Sequence, residues 1–208
     1  MDSVTICNLA LMLVGIPPIT SFEDENNNAK LCKAYFPVLR DRVLRDHSWS
    51  FALAGCDLQV LAEESVDPSY DYVCGLPGDL IRVIEIVGNR PYRRIGDRIL
   101  VREVPARLLY TRREEDCNMY DETFVEALQY LLAAEIGMSN TRSGTKIAYY
   151  RQEYERRLSL ARSIDSQENR HALQGIGQRS KWLAARGHSL EHRTERSVWV
   201  HGTAGIQE

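Results

Sequence analysis

The chain has no apolar run long enough to cross a bilayer. Its most hydrophobic stretch, SVTICNLALMLVG at residues 3–15, is short, carries no basic leader and runs into GIPPITS rather than a small-residue cleavage site. Neither a membrane segment nor a signal peptide is expected. It has no CxxC pair either: Cys7, Cys32, Cys56, Cys74 and Cys117 lie far apart, and their odd number argues against a disulfide framework. They read as small, reduced core residues of a protein made in the cytosol. No G-x-S-x-G and no Walker sequence occurs. GIGQRS, at Gly175 to Ser180, lacks the third glycine of a dinucleotide loop and any strand before it.

What is present is an ordinary globular composition. With 208 residues, 44% apolar and 26% charged, the chain can bury roughly 70% of its unfolded surface. The net charge of −3 conceals a polarity: residues 1–141 hold 14 basic and 22 acidic side chains, whereas 142–196 hold 12 and 6. A basic end of this kind suits docking to an acidic surface, although arginines along a helix also serve as a plain solvated face.

Hydrophobic spacing divides the chain into three kinds of segment. Ser3 can cap a first helix to about Gly15, apolar nearly all round and therefore buried. After GIPPIT, Ser21 with Asp24 and Glu25 resembles a capping box opening a second helix, on which Cys32, Phe36, Leu39 and Val43 share a face. Pro37 should kink that helix or break it. From Cys56 the rhythm changes to alternation, and DLQVLAE, YDYVCGLP, LIRVIEIVG, RIGDRILV and PARLLYTR read as five short antiparallel strands, with GNRPYRR and GDR as turns. Asp121 or Asp116 then caps a third helix carrying Phe124, Leu128 and Leu131, and a fourth runs from about Thr145 to Asp165 with Ile147, Tyr150, Tyr154, Leu158 and Ala161 in line. Beyond Ser166 the apolar residues are isolated among Gly, Gln, Arg and His, too few to fold alone. The expected architecture is α+β: a helical bundle from residues 3–52 and 119–166, an inserted antiparallel β domain at 53–118, and an extended C-terminal tail at 167–208.

Sites for chemistry are scarce. HSLEH, His188 to His192, matches the H-x-x-E-H arrangement of inverted zinc peptidases, but its polar, glycine-flanked setting favours a solvated tail. Asp67, Asp71 and Asp79 stand in turn-like contexts that suit aspartate for local hydrogen bonding. Glu153 and Glu155 interrupt the basic run of the fourth helix, which weakens a nucleic-acid reading. No enzymatic activity, cofactor or metal is expected. RDHSWSF, Arg45 to Phe51, reads as a helix stop: Trp49 and Phe51, with Phe124, are anchors locking helical and β parts together, and His47 covers the helix end.

The order of these segments resembles the tail tubular protein A-like head-to-tail adaptors of short-tailed bacteriophages. The N-x-A-L-x-x-x-G helix falls on Asn8, Ala10, Leu11 and Gly15, I-x-S on Ile19 and Ser21, then Ala29, and Y-x-x-x-R-D-x-x-L on Tyr35, Arg40 or Arg42 with Asp41, and Leu44. The Trp-x-Phe-Ala ending is Trp49, Phe51 and Ala52. The Leu-Pro-x-Asp segment falls on Tyr72, Leu76, Pro77, Asp79, Leu80, Arg82 and Val83, and the D-x-x-F-x-x-A-L helix on Asp121, Phe124, Ala127, Leu128 and Ala133. The likeness spans about residues 3 to 165, and KWLAAR at 181–186 is similar to an ending in relatives.

The resemblance implies a virion protein, made in the bacterial cytoplasm and located at the head–tail junction. It would form a dodecameric ring between the portal protein and the tail nozzle (tubular B-type) protein, touch tail fibres, and let genomic DNA pass through its lumen without specific binding. Trp182, Leu183, Arg186 and Trp199 are the expected portal-binding residues. A phage-encoded peptidoglycan hydrolase or a DNA-binding regulatory protein is the alternative.

Overall fold

The computed structural model describes residues 1–140 and 144–174. Over these residues the chain is α+β, running through two helices, six strands and two further helices. Trp182, Leu183, Arg186, Trp199, HSLEH and GIGQRS lie outside the described residues.

Helix α1, Ser3–Val14, is capped by Asp2 rather than Ser3, the Asp2 carboxylate accepting from the Thr5 amide at 2.9 Å. It stops at Gly15, whose φ of +75° places it in the left-handed region that terminates helices. Helix α2, Asn27–Asp46, starts later than the sequence suggests, because Asn26 supplies the cap to Ala29 at 2.8 Å. The expected capping box instead closes a loop: Asp24 accepts from the Thr20 amide and Ser21 from the Glu23 amide. Pro37 lies inside α2 without ending it. Phe36, Leu39, Val43 and Leu44, buried on both sides of the proline, hold that helix in place.

A short 3-10 turn, Ser50–Ala52, leads into β1, Leu53–Asp57. The strand expected over DLQVLAE therefore ends where that segment begins, and only Val60 of it makes an isolated bridge, to Cys74. The other strands are β2 (Tyr72–Gly75), β3 (Leu80–Ile86), β4 (Tyr92–Ile95), β5 (Arg98–Val101) and β6 (Arg107–Arg112). They form two antiparallel three-stranded sheets, ordered β1-β6-β3 and β2-β5-β4. RIGDRILV is thus two strands, not one: Gly96 at φ +58° and Asp97 make a two-residue hairpin loop, the glycine-first pattern suited to strand twist. The six strands share a buried cluster around Ile86, Ile99, Val101, Leu108 and Tyr110.

Helix α3, Glu122–Asn140, is buried along Phe124, Leu128, Leu131 and Ala134, packing on α1 and α2 in a second cluster. Helix α4 spans Gly144–Gln174 and so continues past the boundary expected at 166. Its apolar stripe of Tyr150, Tyr154, Leu158 and Ala161 joins the helical cluster.

Candidate functional site: a structural joint and two exposed surfaces

Arg45 to Phe51 is where the two clusters meet. Trp49 is fully buried and its indole N–H donates to the Val43 carbonyl at 2.9 Å, folding the chain back on the helix it has just left. Its ring packs edge-on against Phe124 with centroids 5.1 Å apart, Phe51 does the same, and Tyr120 closes the group against both phenylalanines. From β3, Arg82 donates to the Arg45 carbonyl at 3.1 Å and to the Ser48 hydroxyl.

The last partner, Asp165 on α4, is more than a hundred residues away along the chain. Only 2% exposed, its carboxylate meets His47 Nε2 at 2.7 Å through one oxygen, while the other accepts from the Ser50 amide at 2.9 Å and the Ser50 hydroxyl at 2.6 Å. Serine, histidine and aspartate are together, but in the wrong order for nucleophilic catalysis. A hydrolytic serine gives its proton to the imidazole; here it gives it to the carboxylate. The cluster acts as a clasp tying α4 to the end of α2, reinforced by the Tyr154 hydroxyl donating to Asp46 at 3.0 Å. Burial, with Asp165 and Glu168 nearby, raises the pKa of Asp121, and burial beside Asp46 raises that of Tyr154.

Other residues of the sequence motifs also fall at joints. Asn8 holds the loop after α1 from both sides, donating to the Ile19 carbonyl at 2.9 Å and accepting from its amide at 2.8 Å. Asp79 accepts from Tyr110 at 3.1 Å, across β3 and β6. Burial, and then that contact, push the Tyr110 hydroxyl up to about 12. Asp67 keeps to its turn, capping the Ser69 amide at 2.9 Å. Cys7 and Cys32 are buried together, and hydrogen bonding between the thiols with desolvation holds Cys7 protonated well above its usual range. Among the described residues no group of three or more His, Cys, Asp and Glu is placed to hold a metal ion.

The surface revises the charge reading. All four arginines of residues 144–168 stand within 4 Å of a carboxylate: Arg151 by Glu135, Arg156 by Glu153, Arg157 by Glu126, and Arg162 by Asp46. These arginines are therefore compensated within the fold, three of them by carboxylates on α2 or α3, and most of the basic surplus belongs to 169–196, with six basic and two acidic residues. A second basic stretch lies within the acidic part. Residues 88–107 hold six arginines and two acids, leaving the rest of 1–141 with eight basic and twenty acidic residues. Arg93, Arg94 and Ile95 are exposed on β4, an edge strand. Arg93 pairs with Asp67 at 2.6 Å, whereas the Nε of Arg94 reaches only the Gly96 carbonyl at 3.1 Å.

A cleft of about 440 Å³ opens on the helical side, between α1, the 3-10 turn Cys117–Met119 and the start of α3. Leu9, Tyr120 and Val125 line it, with Met1, whose amino group donates to Asn118 at 2.7 Å, and Glu122 and Glu126 stand at the same cleft. The chain matches no protein-family model and none of the curated proteins with which it was compared.

Proposed function

We propose that the chain is a virion structural protein, a head-to-tail adaptor that joins a phage portal to the tail nozzle and forms part of the DNA channel. The observation that carries this reading is the placement of the motif residues. Asn8, Arg82, Trp49, Asp79 and Phe124 come from segments far apart in the sequence, and each makes a contact joining one element to another. Motifs whose residues serve as joints fit a protein that works by its shape. On this reading the helical cluster is a bundle, the six strands are its inserted domain, and function is assembly rather than turnover.

A portal ring offers repeated identical sites, so the adaptor would complete a closed ring through heterologous contacts between neighbouring copies. Trp182, Leu183, Arg186 and Trp199 are proposed as the portal-contacting residues, within the stretch that holds the basic surplus. The tail nozzle and tail fibres would bind elsewhere on the ring. The excess of acidic over basic side chains in residues 1–141, 22 against 14, would let DNA pass, because tight DNA binding needs cations that displace counterions from phosphates. The test is native mass with and without a purified portal of the same virus. A portal-bound ring of about twelve copies is expected from the closed interface; a chain that ignores the portal overturns the reading.

A further inference from the structure

We infer that the β4–β5 hairpin of one copy docks into the α1–α3 cleft of a second copy of this chain. This rests on the adaptor reading only for closure of the resulting array into a ring. The two surfaces are complementary in chemistry. The hairpin tip presents Ile95, 39% exposed, between Arg94 and the Gly96–Asp97 turn. The cleft presents an apolar floor from Leu9, Tyr120 and Val125, with the Met1 ammonium held by Asn118 on its rim and the carboxylates of Glu122 and Glu126 beside it. Its volume of about 440 Å³ lies within the ~300–1,000 Å³ usual for sites that engulf a compact group.

Two charges point the same way. Arg94 has no carboxylate within ion-pair distance, and Glu122 has no cationic partner, among the described residues. Glu126 is already held by Arg157 at 2.6 Å, so Glu122 is the cleft acid left to meet an incoming guanidinium. The exposed arginines of β4 could serve merely to keep an edge strand from pairing nonspecifically. That reading explains the charges but not an exposed isoleucine between them and the turn. Among the described residues neither hairpin nor cleft is covered, and the unpaired guanidinium of the one matches the unpaired acid of the other, which makes a second copy the occupant. Because the patches differ, the contact is heterologous: each copy gives a hairpin to one neighbour and a cleft to the other.

The full chain, its Arg94→Glu and Glu122→Arg variants, and an equimolar mixture of the two variants are compared by sedimentation velocity over a range of concentrations at low salt, with melting curves to verify folding. Wild type is expected to self-associate. Each variant alone brings like charges together and should associate about tenfold more weakly or worse. The mixture should recover, since native and exchanged contacts alternate along the array. Wild-type association by both variants, no recovery in the mixture, or a wild-type chain that stays monomeric at every concentration overturns the inference. None of these touches the adaptor reading, which stands or falls on portal capture; failure of portal capture with the expected charge-exchange pattern would leave the inference standing alone.

Discussion

Asp165 is the side chain on which the most contacts converge at the joint. Removing its carboxylate strips the Ser50 amide and hydroxyl and the His47 ring of a shared buried acceptor. Leaving such donors without a partner costs about 1–3 kcal/mol each in unfavourable cases. Asp165→Ala should therefore lower stability by roughly 3 kcal/mol, measured by urea denaturation, with Asp165→Asn intermediate because the amide oxygen still accepts. Asp121 works in the opposite sense. Its pKa is raised in the folded protein by burial and by Asp165 and Glu168, so the unfolded chain releases this proton first as pH rises. Stability then falls with rising pH through the carboxylate range. Asp121→Asn should flatten that part of a melting-temperature profile; an unchanged slope would place the effect elsewhere. Asp165 was partly legible after all. The stripe Tyr150, Tyr154, Leu158, Ala161 reaches residue 165 at the next helical step, and an acid in an apolar lane signals a buried partner. That partner is more than a hundred residues away, which periodicity does not encode.

At the scale of elements, α1 and α3 meet closely enough for a glycine to matter. A methyl group added at Gly137 would stand 3.4 Å from a Val14 methyl, within reach of ordinary contact. Glycine inside a helix costs about 1 kcal/mol relative to alanine, so Gly137→Ala should stabilise the chain by roughly 0.5–1 kcal/mol in thermal melts, while Gly137→Leu should push α1 from α3 and lower stability. Helices were the most readable elements, because a 3.6-residue apolar period leaves a long record: all four lie where the spacing places them. Their ends were less so. Asp2 and Asn26 cap α1 and α2 in place of Ser3 and Ser21, since neighbouring residues of similar capping strength are decided by how the chain enters the helix. The strands were hardest. β1 contains Gly55 and begins directly after a 3-10 turn, without the alternation that marks a half-buried strand, and β4 is an arginine-rich edge that reads as a turn.

Taken as a whole molecule, the chain is best divided after α4 rather than within it. A cut at 166 would end the helix one residue beyond Asp165, where fraying would undo the clasp; a cut after Gln174 keeps α4 entire. The 1–174 chain should melt within a degree or two of the full protein and fail to bind purified portal, whereas 1–166 should melt lower. A 1–174 chain that still captures portal would move the docking site into the folded part. The same layout governs synthesis. Tyr150 donates to the Leu13 carbonyl at 2.7 Å, and Asp165 grips Ser50 across 115 positions, so the first two helices leave the ribosome well before the partners that cover them. Helix α1, apolar on nearly every side, must wait while all six strands are translated. Non-local closure of this kind is slow and leaves sticky surface open in the meantime, so production of the protein in a cell should depend on translation speed and on chaperones that shelter an unfinished chain.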